Sequence, residues 1–198
     1  MVSPWSRAEF RFVAGRAGLD FANTLVGRGD EEADLLATAP DLGVWLHRAG
    51  LTASVPSVAT HELSEAVKLR EAISRSALAA STGSVLAPQD VRRINLHARY
   101  PVAPLLDGSG ETVSWEAPRT VAGALSRMAR DAVELLGGEE RFRIRMCARE
   151  GCGALFLDRS RRGTRRWCSM VLCGNRAKVA TYRHTRSAGS RRRRRSGA

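Results

Sequence analysis

The stretch CAREGCGALFLDRSRRGTRRWCSMVLC, residues 147–173, decides how this chain is read. Its four cysteines, Cys147, Cys152, Cys168 and Cys173, stand in the order C-x4-C-x15-C-x4-C, and the chain has no others. Two close pairs separated by a loop are what one tetrahedral Zn²⁺ needs from a short segment. Four thiolates close the coordination sphere and leave no position for water, so the expected site is structural and not catalytic. Two disulfides or four unrelated buried thiols are the alternatives. Neither pair has the C-x-x-C spacing of a redox centre. His184, eleven residues past Cys173, is read as a helix-face or phosphate-side residue.

Working outward, RFRIRMC (141–147) alternates apolar and basic residues as a half-exposed strand does, and GALFLD (153–158) makes a second short strand. Gly151 and Gly153 bracket Cys152, where a tight turn must bring backbone amides toward sulfur. Ser169 can cap a following helix that holds Cys173 in its first turns. The apolar side chains here are few: Ile144, Leu155, Phe156, Trp167, Val171 and Leu172. Metal binding is therefore expected to supply much of the stability of this unit. The last twelve residues, SAGSRRRRRSGA, are of low complexity and expected to be disordered.

Upstream the chain reads as mainly helical. Leu19, Ala22, Leu25 and Val26 repeat at helical spacing, and Gly27, Gly29 and Asp30 end that element. Pro40 and Asp41 open a short helix through Trp45 and Leu46. A longer helix fits 58–80, with Leu63, Val67, Leu69, Ile73 and Leu78 as its apolar positions. Pro88 begins another, with Val91, Ile94 and Leu96 facing inward. Residues 101–117 read as a hairpin around the DGSG turn. A helix over 118–136, with Val121, Leu125, Met128, Val133 and Leu135 apolar, stops at Gly137 and Gly138. The expected fold is α+β. A mostly helical N-terminal domain with a small β-hairpin (1–138) precedes a small C-terminal four-cysteine zinc module of β-knuckle and helix (139–186) and an arginine-rich tail (187–198).

The formal charge of +12 is unevenly placed. Residues 1–140 carry 14 Lys+Arg against 18 Asp+Glu, whereas 141–198 carry 18 against only Glu150 and Asp158. Such asymmetry points to a polyanion partner for the basic end. Only Lys68 and Lys178 are lysines; the other basic residues are arginines, whose planar fork suits phosphate and guanine. No apolar run approaches the roughly 18–20 residues of a membrane span. No secretory h-region is visible, so a reducing cytoplasm is expected, where paired cysteines favour metal.

The run from Cys147 to Lys178, with RRWCSM ahead of Cys173-Gly174-Asn175-Arg176, resembles the CGNR zinc-finger family over residues 140–186. LDFANT at 19–24 and DLGVWL at 41–46 look like the helix-rich ABATE domain that usually precedes that finger. The resemblance implies Cys147, Cys152, Cys168 and Cys173 as zinc ligands in a bacterial transcription regulator linked to stress responses.

On the residues themselves, the expected function is zinc-dependent DNA binding. Arg159, Arg161, Arg162, Arg165 and Arg166 crowd one loop, and Gly163 and Thr164 could turn it outward like a wing. Arg176, Lys178, Arg183 and Arg186 follow on the helix. Phosphate and major-groove contact is the reading for this set. Arg176 could instead neutralise the thiolates, and Asn175 could donate to a cysteine sulfur. Trp167 reads as core in preference to base stacking, and the 191–195 arginine run as a nonspecific polycation. Asp20, Asn23, Thr24 and Arg28 are the candidate ligand pocket of a body that senses a small effector or pairs with a second copy. An RNA- or ribosome-associated zinc protein and a protein-interaction adaptor are the alternatives. His47, His61 and His97 lack metal spacing, and no nucleophile elbow, P-loop or dinucleotide motif is present, so no enzyme is expected.

Overall fold

The computed structural model describes residues 9–106, 108–111, 113–115 and 120–179. In chain order the body contains α1 (Ala17–Ala22), β1 (Leu25–Val26), β2 (Ala33–Asp34), α2 (Ala39–Arg48), α3 (Thr60–Ser81), α4 (Pro88–Ala98), β3 (Pro104–Leu106), β4 (Val113–Trp115) and α5 (Val121–Gly137). A 3-10 turn (Glu139–Arg143) leads to β5 (Ile144–Met146) and β6 (Leu155–Leu157). A wide helical turn, Met170–Gly174, then runs into helical backbone over 175–179. Each strand pair is an antiparallel two-stranded ribbon.

Local chemistry sets most boundaries. The Thr38 amide and hydroxyl donate to the Asp41 carboxylate, closing a capping box at the start of α2, with Pro40 in the first turn. The Thr120 hydroxyl accepts from the Gly123 amide to cap α5. The hairpin expected over 101–117 is the β3–β4 pair, in register Leu105↔Ser114. β5 begins later than the alternation in RFRIRMC suggests, because Arg141 closes a 3-10 turn onto the Gly138 carbonyl at 3.3 Å.

The first helix is shorter than its pattern. It ends at Ala22, and Leu25 and Val26 form β1 instead. Thr24 turns its hydroxyl onto the Phe21 carbonyl, and Asn23 spends its amide on β6, so the chain leaves the helix there. Leu96, expected inward, is 64% exposed, and Leu78 and Val133 are about 40% exposed. α4 packs on α3 and α5 from one side only, which leaves Ile94 as its buried aliphatic.

The core is continuous from body to finger. Leu19, Phe21, Trp45, Leu69, Ile73 and Met128 join Ile144, Leu155, Phe156, Leu157 and the four cysteines in one buried cluster. β6 is buried along its whole length, since it lies against α1 and α3 with β5 on one edge. Its other edge is completed by the body: the Leu157 amide donates to the Ala14 carbonyl at 2.8 Å. Asn23 completes the same edge by donating to the Leu155 carbonyl and accepting from the Leu155 amide. The finger therefore does not rely on a separate core of its own. Its few apolar side chains complete the body's core. Val171 is an exception, at 76% exposure. No described helix is long and apolar enough to cross a membrane.

Candidate metal centre and basic surface

β5 and β6 bring the first cysteine pair together by a knuckle. The Cys147 amide donates to the Ala154 carbonyl at 2.8 Å, and the Cys152 amide donates to the Arg149 carbonyl at 3.1 Å. Gly151 and Gly153 take positive φ, +67° and +62°, which glycine adopts at least cost. The second pair closes from the other side. The Cys168 amide points at the Cys147 sulfur (3.5 Å), and the Ser169 hydroxyl accepts from the Leu172 amide, which starts the turn holding Cys173. Cys173 and Gly174 both donate to the Ser169 carbonyl, giving that turn its wide pitch.

The four sulfurs lie within 4.8 Å of one another and all four cysteines are buried. The Sγ–Sγ separations include 3.4 Å for Cys168–Cys173, 3.7 Å for Cys152–Cys173 and 3.9 Å for Cys152–Cys168. A tetrahedron of Zn–S bonds of about 2.3 Å has edges of about 3.8 Å, so the donor set fits zinc in both size and chemistry. Thiols this close cannot ionise alike without a cation. Hydrogen bonding from Cys147, then Cys168 and Cys173, holds Cys152 far below the usual thiol range, while the Cys147 contact pushes Cys168 and Cys173 up. Among the described residues no other group of His, Cys, Asp and Glu side chains is arranged to hold a metal.

A basic partner for the sulfurs comes from inside the first pair. Arg149 Nε donates to Cys173 Sγ at 3.3 Å. Burial works against its charge, but the Cys173 contact holds it protonated. Asn175 and Arg176, the residues singled out for that role from sequence, are both exposed. The signal that could have found Arg149 is its place within the x4 loop, two residues after Cys147 and three before Cys152.

The arginine loop is a shaped structure. Asp158, fully buried, accepts from the Ser160 amide at 2.9 Å and the Arg165 amide at 2.8 Å, gathering both ends of the loop. Burial opposes its ionisation, but hydrogen bonds from Ser160 and Arg165 keep it below the usual carboxylate range. Arg165 folds back: Nε donates to the Trp167 carbonyl, its terminal nitrogen donates to the Cys168 carbonyl, and its guanidinium lies 4.7 Å from the Phe156 ring centroid. Arg159 pairs with Glu140 at 3.0 Å. Arg161, Arg162 and Arg166 are exposed, with Arg166 lying 5.2 Å over the half-buried Trp167 ring. Arg176 and Lys178 are also placed on the segment leaving the metal centre, Arg176 exposed and Lys178 exposed. Arg183, Arg186 and the 187–198 tail lie outside the described residues.

Asp20, Asn23, Thr24 and Arg28 are each engaged within the protein. Asp20 accepts from the Val13 and Ala14 amides, both at 2.9 Å. Asn23 and Thr24 make the contacts given above. Arg28 reaches Glu71 with two nitrogens, at 2.8 and 3.0 Å, and also the Ala22 carbonyl. Burial raises Asp20 to about 6 against the pull of those two amides. His47, His61 and His97 form no metal cluster.

Comparison with known proteins gives two family matches. A family model named ABATE, described as "Putative stress-induced transcription regulator", matches residues 15–139, and the CGNR zinc finger matches residues 143–186. No curated protein matches the chain. With more than half of its length under the first model, the chain belongs to the ABATE family and carries a CGNR zinc finger whose four cysteines form a site for one zinc ion.

Proposed function

We propose that the chain is a transcription regulator whose finger, residues 139–186, binds duplex DNA through its outward arginines. In this reading the body, 1–138, responds to a small effector or pairs with a second copy. The observation that carries it is the loop over 159–166. Its ends are tied to buried Asp158 and its Arg165 to the backbone of two residues at the metal centre, so Arg161, Arg162 and Arg166 stand out on a prepared frame. A preorganised array loses less conformational freedom on binding phosphate than a flexible one does. Arg176 and Lys178, on the helical segment leaving the metal centre, extend the same positive surface. Zinc acts as a structural clamp in this scheme: Cys147, Cys152, Cys168 and Cys173 hold it, and it locks the loop to the helix.

The test is binding of labelled duplex DNA by fluorescence anisotropy, with structured RNA as competitor at fixed salt. Duplex binding should resist RNA competition. It should fall at least about tenfold when Arg161, Arg162 and Arg166 are all changed to Ala, since each lost phosphate contact removes counterion-release energy. Zinc content should stay unchanged in that variant. Preference for RNA would move the assignment to an RNA-associated protein, and no binding to either would leave an interaction adaptor.

A further inference from the structure

A small, partly enclosed cavity lies between the β1–β2 ribbon and the metal centre. Leu25, Val26, Leu35 and Ala154 supply apolar wall, and Cys152 and Cys168 also line it. Its volume is about 30 Å³. A water molecule needs roughly 10–15 Å³ by that measure, so the space suits a molecule of two heavy atoms. Organic effectors need pockets of roughly 300 Å³ or more and do not fit. Cys147 and Cys173 do not line the cavity, although the Cys173 sulfur lies 3.7 Å from that of Cys152 and 3.4 Å from that of Cys168, so a molecule entering this way meets Cys152 and Cys168 first.

We infer that Cys152 and Cys168 form an oxidation site for small hydroperoxides, reached through this cavity, and that their oxidation expels the zinc ion. The chemistry balances with hydrogen peroxide as oxidant. One thiolate attacks a peroxide oxygen; an S–O bond forms, the O–O bond breaks, and the departing hydroxide takes a solvent proton to become water. The second sulfur, 3.9 Å away, then attacks the sulfenic sulfur. An S–S bond forms, the S–O bond breaks, and the second oxygen leaves as water with another solvent proton. Two electrons pass from the sulfurs to the peroxide. A disulfide is no longer an anionic ligand pair, so the remaining two cysteines hold Zn²⁺ weakly. The loop joining Cys152 to Cys168 is the arginine loop, so oxidation would alter the basic surface directly. The oxidation itself can be tested whether or not the finger binds nucleic acid.

The experiment treats zinc-loaded, full-length protein with hydrogen peroxide. Released zinc is read with a chromogenic chelator and disulfides are mapped by peptide mass spectrometry without reduction. One zinc ion should leave per chain with Cys152–Cys168 as the first disulfide. Cumene hydroperoxide, too large for the cavity, should act at least about tenfold more slowly, because access governs thiolate oxidation. Leu35→Phe and Ala154→Val fill the space and should slow peroxide-driven release while stoichiometric zinc is retained. A first disulfide containing Cys147 or Cys173 overturns the inference. So does an undiminished rate in a zinc-loaded, cavity-filled variant. Should both variants fail to load zinc, equal rates with the two peroxides on the unaltered chain are enough to overturn it.

Discussion

Asp158 and Arg149 show how much of this finger is decided by single side chains outside the ligand set. Asp158 is the sole aspartate between the cysteine pairs, and its carboxylate is used up on loop amides. Asp158→Ala should leave zinc stoichiometry at one while lowering DNA affinity, read by anisotropy, because the arginines lose their frame and not their charge. Arg149→Ala should weaken zinc by about 10–100-fold in a chelator competition, the usual cost of removing a hydrogen-bond partner of a metal ligand. In the body, Asp20 answers to pH. Its folded pKa of about 6 stands above its ordinary 3.8, so the fold takes up a proton between those values before the unfolded chain does. Stability on this account rises as pH falls from about 6 toward 4 and is lowest above 6. Asp20→Asn keeps an oxygen for the Val13 and Ala14 amides without the buried charge. It should raise stability at pH 8 by about 1–3 kcal/mol in denaturant unfolding and flatten that pH dependence.

At the scale of elements, the contact between the knuckle and the β1–β2 ribbon controls how the two parts meet. A Cβ on Gly153 would come within 3.1 Å of the Arg28 carbonyl and 3.3 Å of its amide nitrogen, backbone atoms that cannot swing away. Arg28 is in turn anchored to Glu71 on α3, and Asp34 of β2 to the buried Arg70. Gly153→Ala should therefore cost about 1–3 kcal/mol from positive φ alone, and more from the clash. Protection of the 25–34 amides from hydrogen exchange should fall with it, while α4, remote from the knuckle, keeps its own. The helices were the legible elements. α2 and α4 announce themselves by Pro40 and Pro88 in their first turns, because helix starts depend on local hydrogen bonding. The short ribbons were not: Leu25 and Val26 continue a helical period, and only pairing with Ala33 and Asp34 makes them a strand.

For the whole molecule, the continuous core makes metal loss a global event. Phe156 is fully buried and stacked under Arg165 within the cluster that also holds Leu19, Phe21 and Leu69. Chelation of zinc should lower the melting temperature of the entire chain in calorimetry, with no separate transition for an intact body. A body transition unmoved by chelator would show two independent units. Charge separation also acts at this scale. If about 5 phosphates are neutralised, log K should fall against log salt with a slope of about −4.5.

The ligand set and the basic pole were determined by sequence alone, because cysteine spacing and charge are properties of order along the chain. The same holds for the helix starts, whose causes lie within a few residues. Which of the exposed loop arginines are tied back to the protein was decided only in three dimensions, when buried Asp158 and the ring of Phe156 claimed Arg165 and Glu140 claimed Arg159. So was the fate of Asp20, Asn23, Thr24 and Arg28, whose partners lie as far off as Glu71 and Leu155. Such pairings depend on long-range packing, and no local pattern encodes which distant backbone a polar side chain will meet.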